Sequence, residues 1–269
     1  MTRTWWKTGI GLVLIAIMLF PIYWMVNVSL TRRDSIRRGD LVPLDFTLEH
    51  YGVVLSEQGS FLATSLLVGL GTVVVTLAVA APAGYALAKL ALPGRRTLSF
   101  LLIVAQMVPA VVMALGFYSL YSRYGLLDTI PGLIVADSTI AVPFAVMLLA
   151  AFMTGIPKEL IQAAELDGAS TWRTFRSVIL PVSRNSAVTV ALFAFLWAWS
   201  DFVFASTLNR GGGDLRPITM GIYNYIGAQN QEYGPMMATA VVASVPTAIL
   251  LIVAQRYVAA GVTAGAVKD

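Results

Sequence analysis

The chain has 269 residues, 58% of them hydrophobic and 12% charged, with a mean hydropathy of +0.78, against about 45–50% apolar and about 25% charged in ordinary soluble domains. That balance excludes a water-soluble globule and a disordered chain alike. With no Cys and a single His, His50, disulfide frameworks, thiolate chemistry and two-histidine metal sites are excluded too, and a net charge of +4 fits membrane topology signals rather than nucleic acid.

Crossing a hydrocarbon core of about 30 Å takes about 20 helical residues, with every backbone polar group bonded inside the helix. Six stretches qualify: 9–30, 61–91, 98–121, 133–153, 187–208 and 236–259, which carry only Lys89, Asp137, Asp201 and Arg256 as charges. The predicted class is an all-α membrane protein with six transmembrane helices. Arg3 and Lys7 precede the first stretch as they would in a signal peptide. The run is too long for a signal core and lacks an Ala-x-Ala-like site, and Trp5, Trp6, Tyr23 and Trp24 suit the membrane interfaces, so it reads as an uncleaved anchor. The following outer loop holds Arg32, Arg33, Arg37 and Arg38 with Asp34 and Asp40, a cluster to which pattern assigns no role. His50 in the same loop reads as a surface residue. Pro82 and Gly84 predict a bend or early end in the second stretch. Asp137, near a helix end, reads as a solvated carboxylate.

Residues 154–186 are too polar to span and too patterned for a linker. Gly155-Ile156-Pro157 opens a first helix, whose apolar face is Leu160, Ile161, Ala163, Ala164 and Leu166 and whose C-terminal cap is Gly168. Ser170 or Thr171 caps a second helix, in which Trp172, Phe175, Ile179 and Leu180 oppose Arg173, Thr174, Arg176 and Ser177 until Pro181 stops it. With six crossings and cytoplasmic termini, most of the 18 Lys and Arg fall on the same side as this helix-glycine-helix element. Pattern alone lets it pack on its own bundle or dock on a partner.

In the fifth stretch, Asp201 is the one charge well inside a span, where an ionised carboxylate is costly unless it is paired or faces water. Trp197, Trp199 and Phe202 lie beside it. A carboxylate to accept hydroxyl hydrogen bonds and rings to pack on C–H faces suit a sugar pathway, with Gln106, Tyr118 and Asn224 as weaker members. The competing reading has Asp201 holding a neighbouring subunit. Residues 209–235 are long for a connector. They contain Gly211-Gly212-Gly213, Arg216-Pro217 and Tyr223-Asn224-Tyr225, flexibility and aromatics that suit a loop reaching a partner.

The run Gln162-Ala163-Ala164-Glu165-Leu166-Asp167-Gly168-Ala169, followed by Ile179-Leu180-Pro181, resembles the Glu-Ala-Ala loop of bacterial ATP-binding-cassette (ABC) importer permeases. Gly84-Tyr85-Ala86-Leu87-Ala88, Gln106-Met107-Val108-Pro109, Gly125-Leu126-Leu127-Asp128-Thr129, Trp199-Ser200-Asp201-Phe202 and the terminus 261–269 are similar to the carbohydrate-uptake branch, in the manner of the second permease of the maltose importer. Similarity covers roughly residues 60–269. Gln162 departs from the family's usual glutamate, with Glu159 and Glu165 close by.

The resemblance implies a permease that pairs with a second permease, rests on two cytoplasmic ATPase subunits and receives sugar from an extracytoplasmic binding protein. It implies an ATPase-coupling segment of Gln162, Ala163, Ala164, Glu165, Asp167, Gly168 and Ala169, and a binding-protein contact through Gly211, Gly212, Gly213, Tyr223 and Tyr225. The tail, 263–269, would enter the ATPase interface. ATP and magnesium are expected in the partner ATPase, because this sequence has no Gly-x-x-x-x-Gly-Lys-Ser/Thr loop, and the chain itself is expected not to be an enzyme. The implied location is the cell membrane, multi-pass, with both termini cytoplasmic. Residues 1–60 then form an anchor helix and outer loop, and 61–269 a five-helix core with the coupling loop 154–186. The alternative is a secondary carrier or another transporter not driven by ATP, against which stand the single interior carboxylate and the lack of an internal repeat. The implied cargo spans malto-oligosaccharides, trehalose, other disaccharides and glycerol phosphates.

Overall fold

A computed structural model describes residues 5–211, 213–226 and 232–266, with 214 and 256–266 as backbone alone. In chain order the main helices are α1 (Trp5–Ser29), α2 (Glu49–Lys89), α3 (Arg95–Gln106), α4 (Ala110–Tyr124), α5 (Ile130–Thr154), α6 (Lys158–Leu166), α7 (Thr171–Val182), α8 (Arg184–Ser200), α9 (Val203–Leu208) and α10 (Tyr233–Ala266). Among the described residues four helices are long and apolar enough to cross a membrane, and six spans result if the bent pairs α3/α4 and α7/α8 count as one each.

The chain forms two compact units, one of residues 1–60 with 220–246 and the other of 61–219 with 247–269.

In the first unit α1 is apolar on every side and buries only its last residues, Asn27, Val28 and Ser29. A helix with no polar face is stable where its surroundings are apolar. Beyond it, Asn27 Nδ2 donates to Asp40 O at 2.8 Å and Tyr23 Oη donates to Leu41 O. Asp45 organises the arginine-rich loop. Ser35 Oγ donates to its carboxylate, Arg38 pairs with it at 3.2 Å, and Asp45 O accepts from Arg32 N at 2.9 Å. Arg33 pairs with Glu232 at 3.0 Å. His50 is not a surface residue: it is buried, with Nε2 3.0 Å from Thr31 O, and a Cβ on Gly234 would stand 2.3 Å from that nitrogen. The imidazole fills a slot that only a glycine leaves open, which a lone His in a loop sequence cannot announce.

In the second unit α5 is the hub, packed against α8, α3, α4 and α9. Its partner α2 runs on through Pro82 to Lys89 instead of ending there. Gly84 serves close approach instead, since a Cβ there would lie 2.9 Å from Leu149 Cβ and 3.2 Å from Ala150 N. The break falls at Pro109, which has no N–H to give and is itself extended at φ −61°, ψ +134°, and α3 and α4 meet there at 91°. The stretch 98–121 is therefore two helices. The stretch 187–208 is also split, at Asp201-Phe202. Asp137 is not solvated: it is 1% exposed on α5, with Oδ1 unpartnered.

The motif Gly125-Leu126-Leu127-Asp128-Thr129 is a turn that links α4 to α5. Gly125 ends α4 at φ +66°, Asp128 follows at φ +57°, and Thr129 Oγ1 accepts from Gly132 N at 3.1 Å to cap α5.

Candidate functional site

Pro157, extended at the entry of α6, and Glu159 in the first turn are what a helix N-terminus favours. The far end closes through Gly168 at φ +78°, with Gly168 N donating to Glu165 O at 3.0 Å and Ala169 N to Ala164 O at 2.9 Å. That is a Schellman cap, whose left-handed residue wants no Cβ. No residue of α6 is buried. Ile156 and Ile161 rest on the cluster of Tyr85, Leu149, Met153, Phe175 and Ile179. Gln162, Ala163, Glu165, Asp167 and Gly168 are exposed, and Ala164 and Ala169 are half-buried. Sequence reasoning left Leu166 out of the coupling set, yet it is 89% exposed, more than any other large apolar residue described. Its adjacency to the glycine cap was the available signal.

Ser170 is the residue that caps α7, its Oγ accepting from Arg173 N at 3.4 Å. The middle of α7, Phe175–Ile179, is a π-turn, and Pro181 does not end the helix, which runs to Val182 before turning by 79° into α8. Thr174, expected on the polar face, is buried just before the π-turn. Leu180, expected on the apolar face, follows the π-turn, whose extra residue shifts the phase, and reaches the surface. Phe175 is the inner anchor, its ring tilted against Tyr85 with centroids 5.4 Å apart, and Trp172 packs on Phe175 at 5.2 Å while staying exposed.

Asp201 sits in the break between α8 and α9. Its Oδ1 accepts from Val203 N at 3.1 Å and Phe204 N at 3.2 Å, its Oδ2 from Ala205 N at 2.9 Å, and its carbonyl accepts from Thr219 Oγ1 at 2.7 Å. The carboxylate is a helix cap. Trp199 is buried and stacked on Phe195 at 5.4 Å, and Phe202 is half-buried. Trp197 turns the other way. With Gln106, Ile140, Phe144, Val190 and Phe193 it lines a cavity of about 310 Å³ among α3, α5 and α8. Gln106 donates to Leu102 O at 3.0 Å, and Tyr118 is exposed. Of the pathway candidates the structure thus brings Gln106 and Trp197 together.

Gly211 is tied down: its N donates to Asp128 Oδ1 at 2.8 Å, and a Cβ there would lie 3.1 Å from Oδ2. Gly212 lies outside the described residues, and Gly213, at φ +51°, begins a single 3-10 turn. In the first unit Tyr223 and Asn224 are exposed. Tyr225 is buried and turned inward, its hydroxyl donating to Glu57 Oε2 at 2.9 Å. Burial and that bond push the phenol well above its usual range. Residues 263–266 continue α10 as helix, and 267–269 lie outside the described residues.

Residues 80–264 match the family of binding-protein-dependent transport system inner membrane components. The trehalose transport system permease protein SugB of Mycobacterium tuberculosis is 32% identical, over 98% of this chain and 97% of its own. The trehalose/maltose transport system permease protein MalG of Thermococcus litoralis is 29% identical, over 96% of this chain and 95% of its own. In fold, the chain is similar to a bacterial ABC transporter involved in the import of the acidic polysaccharide alginate, with a TM-score of 0.80 at 22% identity over 96% of this chain and 98% of that one. The break at Pro109, the capped α6 and the kinked α7/α8 pair accordingly belong to a chain that is a member of the binding-protein-dependent transport system inner membrane components, the permease subunits of ABC importers.

Proposed function

We propose that this chain is one of two permeases in a disaccharide importer, whose partners are a second permease, two ATPase subunits that bind ATP and magnesium, and an extracytoplasmic sugar-binding protein. The observation that carries the reading is α6: a capped helix with no buried residue that presents Leu166 beside small residues, and so is shaped for a cleft on another protein. The names of the trehalose and trehalose/maltose relatives support the cargo class.

In this reading the termini and α6 are cytoplasmic, and nucleotide-driven closure of the ATPases moves α6 as a rigid body, switching the pathway from one side to the other. The α3/α5/α8 cavity supplies an indole face and one amide, the complement of a sugar's C–H surface and hydroxyls. Asp201 acts there by setting the start of α9. Tyr223 and Asn224 meet the binding protein, and hydrolysis takes place in the ATPase subunits, with the tail of this chain between them. Proteoliposomes holding the four-subunit complex with the binding protein should take up labelled trehalose or maltose only with internal or external ATP on the ATPase side. Uptake driven by an ion gradient without ATP would overturn the reading in favour of a secondary carrier.

A further inference from the structure

The last two turns of α2 touch the helix-glycine-helix element on both sides of α6. At the entry, Lys89 Nζ donates to Thr154 O at 3.1 Å and also to Ile156 O. These carbonyls lie at the C-terminal end of α5 and just beyond it, where a helix leaves acceptors unsatisfied and its dipole favours a cation. At the exit, the ring of Tyr85 lies against Phe175 in the first turn of the π segment. Tyr85 and Lys89 are four residues apart and so share one face of α2. Between the two grips α6 lays Ile161 on the core and packs against the first half of α7, with no residue fully buried. One position before Tyr85, Gly84 brings the backbones of α2 and α5 together.

We infer that Lys89 and Tyr85 are positioning residues that mount the coupling element on α2 at two points, so that a displacement delivered to Leu166 is passed into α2 instead of being lost in the loops around α6. A helix held at one end can swivel when pushed, whereas one held at both ends moves with its mount. Lys89 supplies the polar half, fixing the direction in which the chain leaves α5. Tyr85 supplies the apolar half, fixing the return. This rests on α6 being the ATPase-docking element.

The test is substrate moved per ATP hydrolysed, in the reconstituted complex with its binding protein, read together with complex yield. Losing a charged hydrogen-bond donor from this mount, Lys89→Met should lower that ratio by about tenfold while the complex still assembles and hydrolyses ATP. Lys89→Arg, which keeps donors and charge, should restore it. Tyr85→Phe should behave as the parent and Tyr85→Leu as Lys89→Met. A parental ratio in Lys89→Met and Tyr85→Leu, while Leu166→Glu abolishes stimulated hydrolysis, overturns the mount and leaves the docking reading in place. A parental ratio in all three overturns the docking reading itself. If both Lys89→Met and Tyr85→Leu fail to assemble, these contacts serve folding alone and the mount is wrong.

Discussion

Asp201 turns its carboxylate onto the start of the next helix, Oδ2 accepting from Ala205 N at 2.9 Å. A break within a membrane-spanning stretch exposes amides that lipid cannot satisfy, and this side chain satisfies those of α9. Asp201→Ala should therefore destabilise the complex by about 1 kcal/mol, the usual worth of an N-terminal cap. Asp201→Asn keeps an acceptor and should retain most of the yield. Measured as uptake per purified complex, Asp201→Asn should match the parent. A loss of uptake in Asp201→Asn at normal yield would show that the charge itself faces the cargo.

Gly168 holds φ +78° with open space where a Cβ would stand. The cost of substitution is conformational, so Gly168→Ala should loosen the turn by about 1–2 kcal/mol. In reconstituted vesicles it should reduce ATP-coupled uptake while leaving the membrane spans inserted. Coupled uptake at the parental rate in Gly168→Trp would show that the turn and its neighbourhood play no part in coupling.

Leu166 stands out from α6, 89% exposed among the described residues. Burying a leucine in a partner's cleft is worth about 1.5–3 kcal/mol. Leu166→Ala should weaken ATPase capture by that order in a pull-down with the purified ATPase subunit, and Leu166→Glu should abolish it. Equal capture by all three proteins would place the docking surface elsewhere.

Ser35 Oγ, more than any other group, holds the Asp45 carboxyl below the usual carboxylate range, with Arg38 and Arg32 adding to it and burial opposing. A depressed folded value means that the contribution is present above the ordinary carboxylate pKa and lost as pH falls through the folded one. Protease cleavage within residues 31–46 should accelerate at acidic pH in the parent. In Ser35→Ala the onset should move to higher pH. The Tyr225 hydroxyl behaves oppositely, because its raised value makes its stabilisation complete below the ordinary phenol range and lost as pH rises. Tyr225→Phe should cost about 1 kcal/mol of thermal stability and remove the alkaline loss.

Membrane class, the four unbroken spans and the helix-glycine-helix element were legible in the residues because each rests on local rules. Apolar length sets a span, a glycine after an amphipathic run sets a cap, and a proline removes a donor. The turn at Gly125 to Thr129 and the capping Ser170 follow the same short-range chemistry. What tertiary structure decided is how side chains far apart in sequence use one another. Pro82 passes without a break whereas Pro109 turns the chain by 91°, although both are prolines in apolar runs. His50 is buried because Gly234 leaves room for it, Tyr225 turns inward to Glu57, and Gly211 is held by Asp128 from 83 residues away. Asp201 was picked out by its charge, but only the split of its helix shows that backbone amides consume that charge. Composition and periodicity record how each segment meets lipid or water, since that depends on the segment alone. Which buried polar atom finds which partner depends on where packing brings two segments together.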